Sequence, residues 1–191
     1  MEHVRLYDLN KTLVSIKGYE EYVFGKNPVL KAPYELGDIH ANLAFELSLG
    51  EGLEAGDVEV VALDGVGDRL AMDFEQGIGS AVFSTCLGMV VEAIFKQIGL
   101  TRYVADNHIY STFDYNHPVL EEAMKTAATK MSAGFRAVNE DLGGRVISYV
   151  DDKPADLERA REGLGEGVKL YQVGGENSAS DIRVVSSILE L

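Results

Sequence analysis

An α/β domain with a mostly parallel sheet, layered by helices on both faces in the three-layer, Rossmann-like manner, is the fold this sequence predicts. Three observations carry that expectation. Strand-like and helix-like segments alternate after residue 57, the pattern of βαβ units. The strand segments, among them 58–63 (VEVVAL), 145–150 (RVISYV) and 168–173 (VKLYQV), are near-continuous apolar runs, as strands covered on both faces should be. Polar residues then cluster at their carboxyl ends, where open α/β sheets place their sites.

Taken in order, residues 3–7 (HVRLY) read as a short buried strand that stops at Asp8. The loop Asp8-Leu9-Asn10-Lys11-Thr12 follows it. Residues 17–56 read as mostly helical or irregular, broken early by Gly25, Asn27, Pro28 and Pro33. Ile39, Leu43 and Leu47 mark one face of a helix that Gly50, Gly52 and Gly56 close. Tyr19, Tyr22, Phe24 and Tyr34 give this stretch aromatic surface, suited to packing or to lining a pocket. Segment 58–63 predicts a strand and Asp68 to Gln76 a helix. Residues 80–83 (SAVF) form a short strand running into Ser84 and Thr85, and Gly88 to Ile98 a helix. Tyr103 to Ala105 suits another short strand, ending at Asp106 and Asn107. Pro118 fits a helical first turn, and Leu120, Met124, Ala127 and Met131 keep helical spacing toward Gly143-Gly144. Strand 145–150 ends in Asp151-Asp152, a helix begins near Pro154, and strand 168–173 ends in Gly174-Gly175. Ile182, Val185, Ile188 and Leu189 predict an apolar stripe on a final helix.

Bulk properties narrow the function classes. At 191 residues the chain suits one main domain, able to bury about 70% of its unfolded surface without staples. A formal net charge of −14 repels nucleic-acid backbones and anionic membranes, so neither partner is expected. No apolar run approaches the ~20 residues of a membrane span, and no signal-peptide pattern is present. One cysteine, Cys86, permits neither an internal disulfide nor a cysteine metal cluster, which fits a reducing, cytoplasmic setting. With no basic activator among its neighbours, Cys86 reads as a packed thiol rather than a nucleophile. Val60 to Gly67 resembles part of a dinucleotide-binding loop, but Leu70 stands where the third glycine belongs.

The strand-end residues suit phosphoryl transfer, which depends on positioning and charge neutralisation. An aspartate ending the first strand can be a nucleophile, and a hydroxyl ending another can hold a phosphoryl oxygen. A lysine can neutralise charge, and an acidic pair can hold magnesium, which favours carboxylates. The segment Leu6-Tyr7-Asp8-Leu9-Asn10-Lys11-Thr12-Leu13 resembles the first motif of the haloacid-dehalogenase (HAD) hydrolase superfamily, an apolar strand then Asp-x-Asp-x-Thr. Ala81-Val82-Phe83-Ser84-Thr85 is similar to its second motif. Lys130, 22 positions before Asp152, suits its third-motif lysine, with Lys125 the runner-up. Ile147 through Asp156 resembles its fourth motif, Gly-Asp-x-x-x-Asp, with Asp152 and Asp156 as the two acids and Asp151 in place of the glycine.

This resemblance implies an HAD core over residues 1–16 and 57–191, with a small helical cap, 17–56, inserted after the first strand. It implies Asp8 as nucleophile and magnesium ligand and Asn10 at the general-acid position, its carbonyl reaching the metal. Lys130 would bridge Asp8 and the substrate. Thr12, Ser84 and Thr85 would lie against the substrate, and Asp152 and Asp156 would complete the metal site. The substrate implied is a small phosphorylated metabolite. One departure matters: phosphatases of this family keep an aspartate where Asn10 stands, and an amide cannot exchange a proton near neutral pH. General acid–base help is typically worth about 10²–10⁴-fold. Two readings therefore stand: a hydrolase slowed by Asn10, or a catalytically impaired binding or regulatory protein on the same fold. A receiver-like phosphoacceptor domain combines similar groups, but the chain is long for it.

Overall fold

The computed structural model describes residues 2–114, 116–126, 130–174 and 182–191; the side chains of residues 106, 125, 126 and 130 lie outside the description. Six parallel strands form the main sheet: β1 (His3–Tyr7), β4 (Ile78–Ser84), β5 (Val104–Ser111), β6 (Val146–Asp151), β7 (Lys169–Val173) and β8 (Ile182–Val185). Their spatial order is β5-β4-β1-β6-β7-β8, so β1 is central and the chain reverses direction beside it. The expected α/β fold with a mostly parallel sheet is present.

Both faces are covered because the strands send alternate residues to opposite sides. Val4 and Leu6 of β1, Ala81 and Phe83 of β4 and Tyr149 of β6 join one apolar cluster. Against them pack α6 (Pro118–Thr126), α7 (Lys130–Asp141) and α8 (Pro154–Leu164), which contribute Leu120, Phe135, Val138 and Leu157. Tyr7, Val82 and Val150 face the other way, onto α4 (Val66–Glu75) and α5 (Gly88–Gln97). Helix α8 approaches α7 closely because position 163 lacks a side chain. A Cβ on Gly163 would lie 2.3 Å from the Ser132 carbonyl oxygen.

Between β1 and β4 the chain makes an excursion. Short antiparallel strands β2 (Val14–Lys17) and β3 (Glu59–Ala62) pair from Val14↔Ala62 to Lys17↔Glu59. Between them run α1 (Tyr19–Lys26), α2 (Lys31–Glu35) and the 17-residue α3 (Ile39–Ala55). Asp38 caps α3 by accepting the Ala41 N–H at 2.9 Å. Phe45, Leu49 and Leu53 of α3 belong to the same apolar cluster as α5 and the sheet. Tyr19, Phe24 and Tyr34 gather around the Phe45 ring.

Several expectations need correction. The strand at 58–63 exists but pairs with β2, outside the main sheet. The stripe Ile39, Leu43, Leu47 does lie on one helix face, but on the exposed one. The buried face is Ala41, Phe45, Leu49 and Leu53. Glycines decide the choice: a Cβ on Gly52 would lie 2.5 Å from the Tyr22 ring, and Gly50 sits against Val90 and Met89. The strand expected to end at Ala105 runs on to Ser111, so Asp106 and Asn107 fall within it. β5 is an edge strand, where polar residues are tolerated. The final stripe is no helix. Ile182 and Val185 belong to β8, and Ile188 and Leu189 to a single 3-10 turn whose start Ser187 caps with Glu190. The apolar series 120–131 spans two helices, α6 and α7, with residues 127–129 outside the description.

A charged network anticipated by no motif ties β1 to α4. The Arg5 guanidinium donates to Asp73 at 2.9 Å and to Ser148 Oγ at 2.9 Å. Tyr7 donates its hydroxyl to Asp73 at 2.9 Å, and Arg69 pairs with the same carboxylate. Asp73 is wholly buried, and removing one partner of a buried pair strands the others. Asp73→Ala is expected to cost about 3–5 kcal/mol, measured by urea unfolding; a loss below about 1 kcal/mol would contradict this role.

Candidate active site at the carboxyl edge of the sheet

Parallel register brings the strand-end residues together. Tyr7 pairs with Val82 of β4 on one side and with Val150 of β6 on the other. The Asp8 N–H extends the β1–β6 pairing by donating to the Val150 carbonyl at 2.9 Å. Asp8 therefore opens beside Asp151 and Asp152 on one flank and beside Ser84 on the other. One carboxylate oxygen from each of Asp8, Asp151 and Asp152 lies within 4.8 Å of the other two.

The turn after β1 is tight. Leu13 and Val14 N–H groups both donate to the Leu9 carbonyl, and the Lys11 N–H donates to the Val14 carbonyl. Lys11 takes a left-handed conformation, φ 63°, and Asn10 bridges to Val14. This fold-back buries Thr12 completely and brings its hydroxyl within 3.4 Å of Asp8 Oδ2. Ser84 ends β4 buried, its Oγ accepting the Cys86 N–H at 3.1 Å, while Thr85 is exposed. Ser111, paired with Ser84 across β4–β5, fastens the same loop by donating to the Cys86 carbonyl at 2.6 Å.

Electrostatics at the trio are those of crowded like charges. Burial, then the Asp151 charge, pushes the Asp8 carboxyl up to about 8; the Leu9 N–H and Lys153 oppose the rise. Burial also lifts Asp151 to about 6, although it accepts the Tyr149 hydroxyl and the Lys153 N–H at 2.8 Å. Lys153 loses some of its charge preference to desolvation, but Asp8, Asp152, Asp151 and Asp156 outweigh that and hold it above the usual lysine range. Asp152 Oδ1 is buried without a hydrogen-bond partner among the described residues, a position that a bound water or cation can satisfy. The donor set is all oxygen, the chemistry that suits a hard divalent cation.

Of the sequence-derived candidates, Asp8, Thr12, Ser84 and Asp152 converge at this edge, with Asn10 in the adjoining turn. Asp156 lies in the first turn of α8, 2.5 Å from the Arg159 guanidinium. The side chains of Lys130 and Lys125 lie outside the described residues. Two residues at the site, Lys153 and Tyr149, carry no assignment from sequence. Asp151 enters the sequence reading as half of the acidic pair that ends its strand and, in the motif, in place of a glycine. Lys153 follows the acidic pair directly, a signal open to notice. Tyr149, buried beneath Asp151, carries no such signal. Burial holds the Cys86 thiol up at about 12, helped by Glu46 and Asp8, which agrees with an inert thiol. Among the described residues no helix is long and apolar enough to cross a membrane.

The Asp8 shift gives a stability test. An acid whose folded value exceeds its ordinary value of 3.8 contributes stability that is complete below that value and is lost as pH rises through about 8. Between about pH 5 and pH 8.5, the metal-free protein should lose melting temperature more steeply than Asp8→Asn. Parallel pH profiles for the two proteins would show that Asp8 carries no such shift.

The chain matches no protein-family model and no curated protein sequence. Solved structures do match. CbbY from Rhodobacter sphaeroides in complex with phosphate aligns at 17% identity and TM-score 0.67, over 98% of this chain and 95% of that one. A mutant of the same protein in complex with xylulose-(1,5)bisphosphate aligns at 20% identity and TM-score 0.62, over 100% and 96%. L-2-haloacid dehalogenase from Xanthobacter autotrophicus aligns at 14% identity and TM-score 0.56, over 91% and 78%. At these identities the likeness is one of fold: the chain shares the fold of the HAD-superfamily hydrolases.

Proposed function

We propose that this protein is a magnesium-dependent phosphoryl-transfer hydrolase of the HAD type, acting on a small phosphorylated metabolite through an aspartyl intermediate at Asp8. The observation that carries the reading is the carboxylate trio of Asp8, Asp151 and Asp152 at the edge of the sheet, on a fold shared with hydrolases of that superfamily. Asp8, Asp152 and the Asn10 carbonyl would hold the cation. The trio favours Asp151 over the arginine-paired Asp156 as the further acid beside it. The cation would supply positive charge against the phosphoryl oxygens and lower the Asp8 carboxyl, so that it is ionised at neutral pH.

An ionised Asp8 oxygen attacks phosphorus, the phosphorus–oxygen ester bond breaks, and the alkoxide leaves. Water then cleaves the aspartyl phosphate, returning the Asp8 carboxylate and inorganic phosphate. The Thr12 hydroxyl would steady Asp8, and the Ser84 hydroxyl would contact a phosphoryl oxygen. Lys153 gives the site a cation of its own, in the charge-balancing task assigned by motif to Lys130. Protonation of the leaving oxygen is the step left unserved, because Asn10 carries an amide there. The same residue favours a second reading, a protein that binds phosphorylated ligands on this fold with catalysis impaired.

Hydrolysis of p-nitrophenyl phosphate with magnesium separates the two readings. The native chain should be slow, Asp8→Asn should lose at least about 10³-fold, and Asn10→Asp should gain about 10²–10⁴-fold. Full activity in Asp8→Asn excludes the aspartyl route. Activity confined to Asn10→Asp favours the binding reading. Magnesium should raise the melting temperature of the native chain and not that of Asp152→Ala. Equal shifts in both would remove Asp152 from the metal site.

A further inference from the structure

The helical segment between β2 and β3 carries an acid, Glu46, to the loop beside the Asp8 edge. Half-buried Glu46 of α3 reaches across to the core, its Oε2 accepting the Leu87 N–H at 3.0 Å. Leu87 directly follows Ser84-Thr85-Cys86, so Glu46 and Asp8 flank one short loop. The Cys86 thiol between them is raised by burial first and then by both charges, Glu46 more than Asp8, and lowered less by Lys153. Glu46 Oε1 makes no hydrogen bond among the described residues and is not sealed from solvent. Beside Glu46, Tyr34 stacks on Phe45 with ring centroids 4.3 Å apart, and Tyr19 meets the same ring edge-on at 5.9 Å. Burial raises Tyr19, Tyr34 and Glu46; Glu20 and Glu21 add to it at Tyr19, Tyr19, Glu46 and Glu20 at Tyr34, and Asp114 at Glu46, with Cys86 acting in the same direction on both tyrosines. The lysines of α1 and α2 are engaged at the surface, Lys26 with Asp57 and Lys31 with Glu35.

A substrate held at Asp8 by its phosphoryl group and extending along the Ser84–Leu87 loop meets the Glu46 carboxylate. A second anion there would meet like charge in a partly desolvated place. A hydroxyl or ammonium group would find a free acceptor, and a site built to receive a donor rejects analogues that lack one. Resting on the phosphoryl-transfer reading above, we propose that Glu46 is a specificity-determining residue. It selects phosphate monoesters whose remaining part is non-anionic and rich in hydrogen-bond donors, a phosphorylated polyol or amino alcohol, and excludes bisphosphates and phospho-acids.

The test compares kcat/KM with magnesium for glycerol 1-phosphate and phosphoethanolamine against 3-phosphoglycerate and fructose 1,6-bisphosphate, in the native chain and in Glu46→Gln. Glutamine keeps a carbonyl acceptor for the Leu87 N–H while removing the charge. The native chain should favour the first pair by at least about tenfold, and Glu46→Gln should narrow that ratio by about tenfold, chiefly through a lower KM for the anionic esters. A native preference for 3-phosphoglycerate or the bisphosphate overturns the proposal, as does an unchanged ratio in a folded Glu46→Gln. If the variant fails to fold, the native ratio decides. If no ester is turned over, calorimetric binding of the same four to Asp8→Asn with magnesium should show the same order. Absence of binding by all four overturns the phosphoryl-transfer reading and this proposal with it, whereas binding in reversed order overturns only the role of Glu46.

Discussion

The parallel register of β4, β1 and β6 is the constraint on which the rest of this structure depends. Because Tyr7 pairs with Val82 and Val150 at one level, the residues that follow all three strands open onto the same edge. Asp8 and the Asp151-Asp152 pair are more than 140 positions apart in sequence. No local interaction joins them, and a slip of one residue in either pairing would turn a carboxylate to the opposite face. The register is held in turn by two apolar layers and by the Arg5–Asp73 network beneath β1.

That geometry is unfavourable by itself. Three acids within 4.8 Å, partly withdrawn from water, repel one another, and the carboxyls of Asp8 and Asp151 are raised, mainly by burial, rather than met by a full set of counter-charges. Lys153 and the Tyr149 hydroxyl offset part of the repulsion. The remainder is repulsion that a bound cation would relieve, beside an Asp152 oxygen that is buried without a partner among the described residues. Stability surrendered at a site in this way is the usual accompaniment of function.

The excursion between β2 and β3 is joined to this edge by packing as well as by chain connection. α3 lies on α5 through Gly50 and on Tyr22 of α1 through Gly52, and α5 begins where the Ser84 loop ends. One helix thus carries both the apolar contact that docks the segment, through Phe45 and Leu49, and the carboxylate of Glu46 that reaches the loop. Position and chemistry are coupled because residues 45 and 46 are neighbours on the same turn. Shifting α3 to bury its Ile39, Leu43 and Leu47 stripe would carry Glu46 away from Leu87.

By itself the sequence determined the elements whose signals are local. Apolar runs ending in acids marked β1 and β6, helical spacing marked α5, Pro154 marked the start of α8, and the motif order marked Asp8 and Asp152. What it could not determine were choices made by partners distant in the chain. Ile182 to Leu189 read as a helix because spacing alone cannot register the neighbouring strand β7, whose hydrogen bonds make 182–185 extended. The Asp106-Asn107 pair read as a strand end because edge placement, which tolerates polar residues, is a property of the sheet. Asp151 read as a glycine replacement because only the register shows its carboxylate turned toward Asp8, with Tyr149 beneath. α3 offered two apolar stripes, and only the fit of two glycines against Tyr22 and Val90 decided which was buried. Local free energy is written in neighbouring residues; long-range pairing and close packing are settled only when the chain has closed on itself.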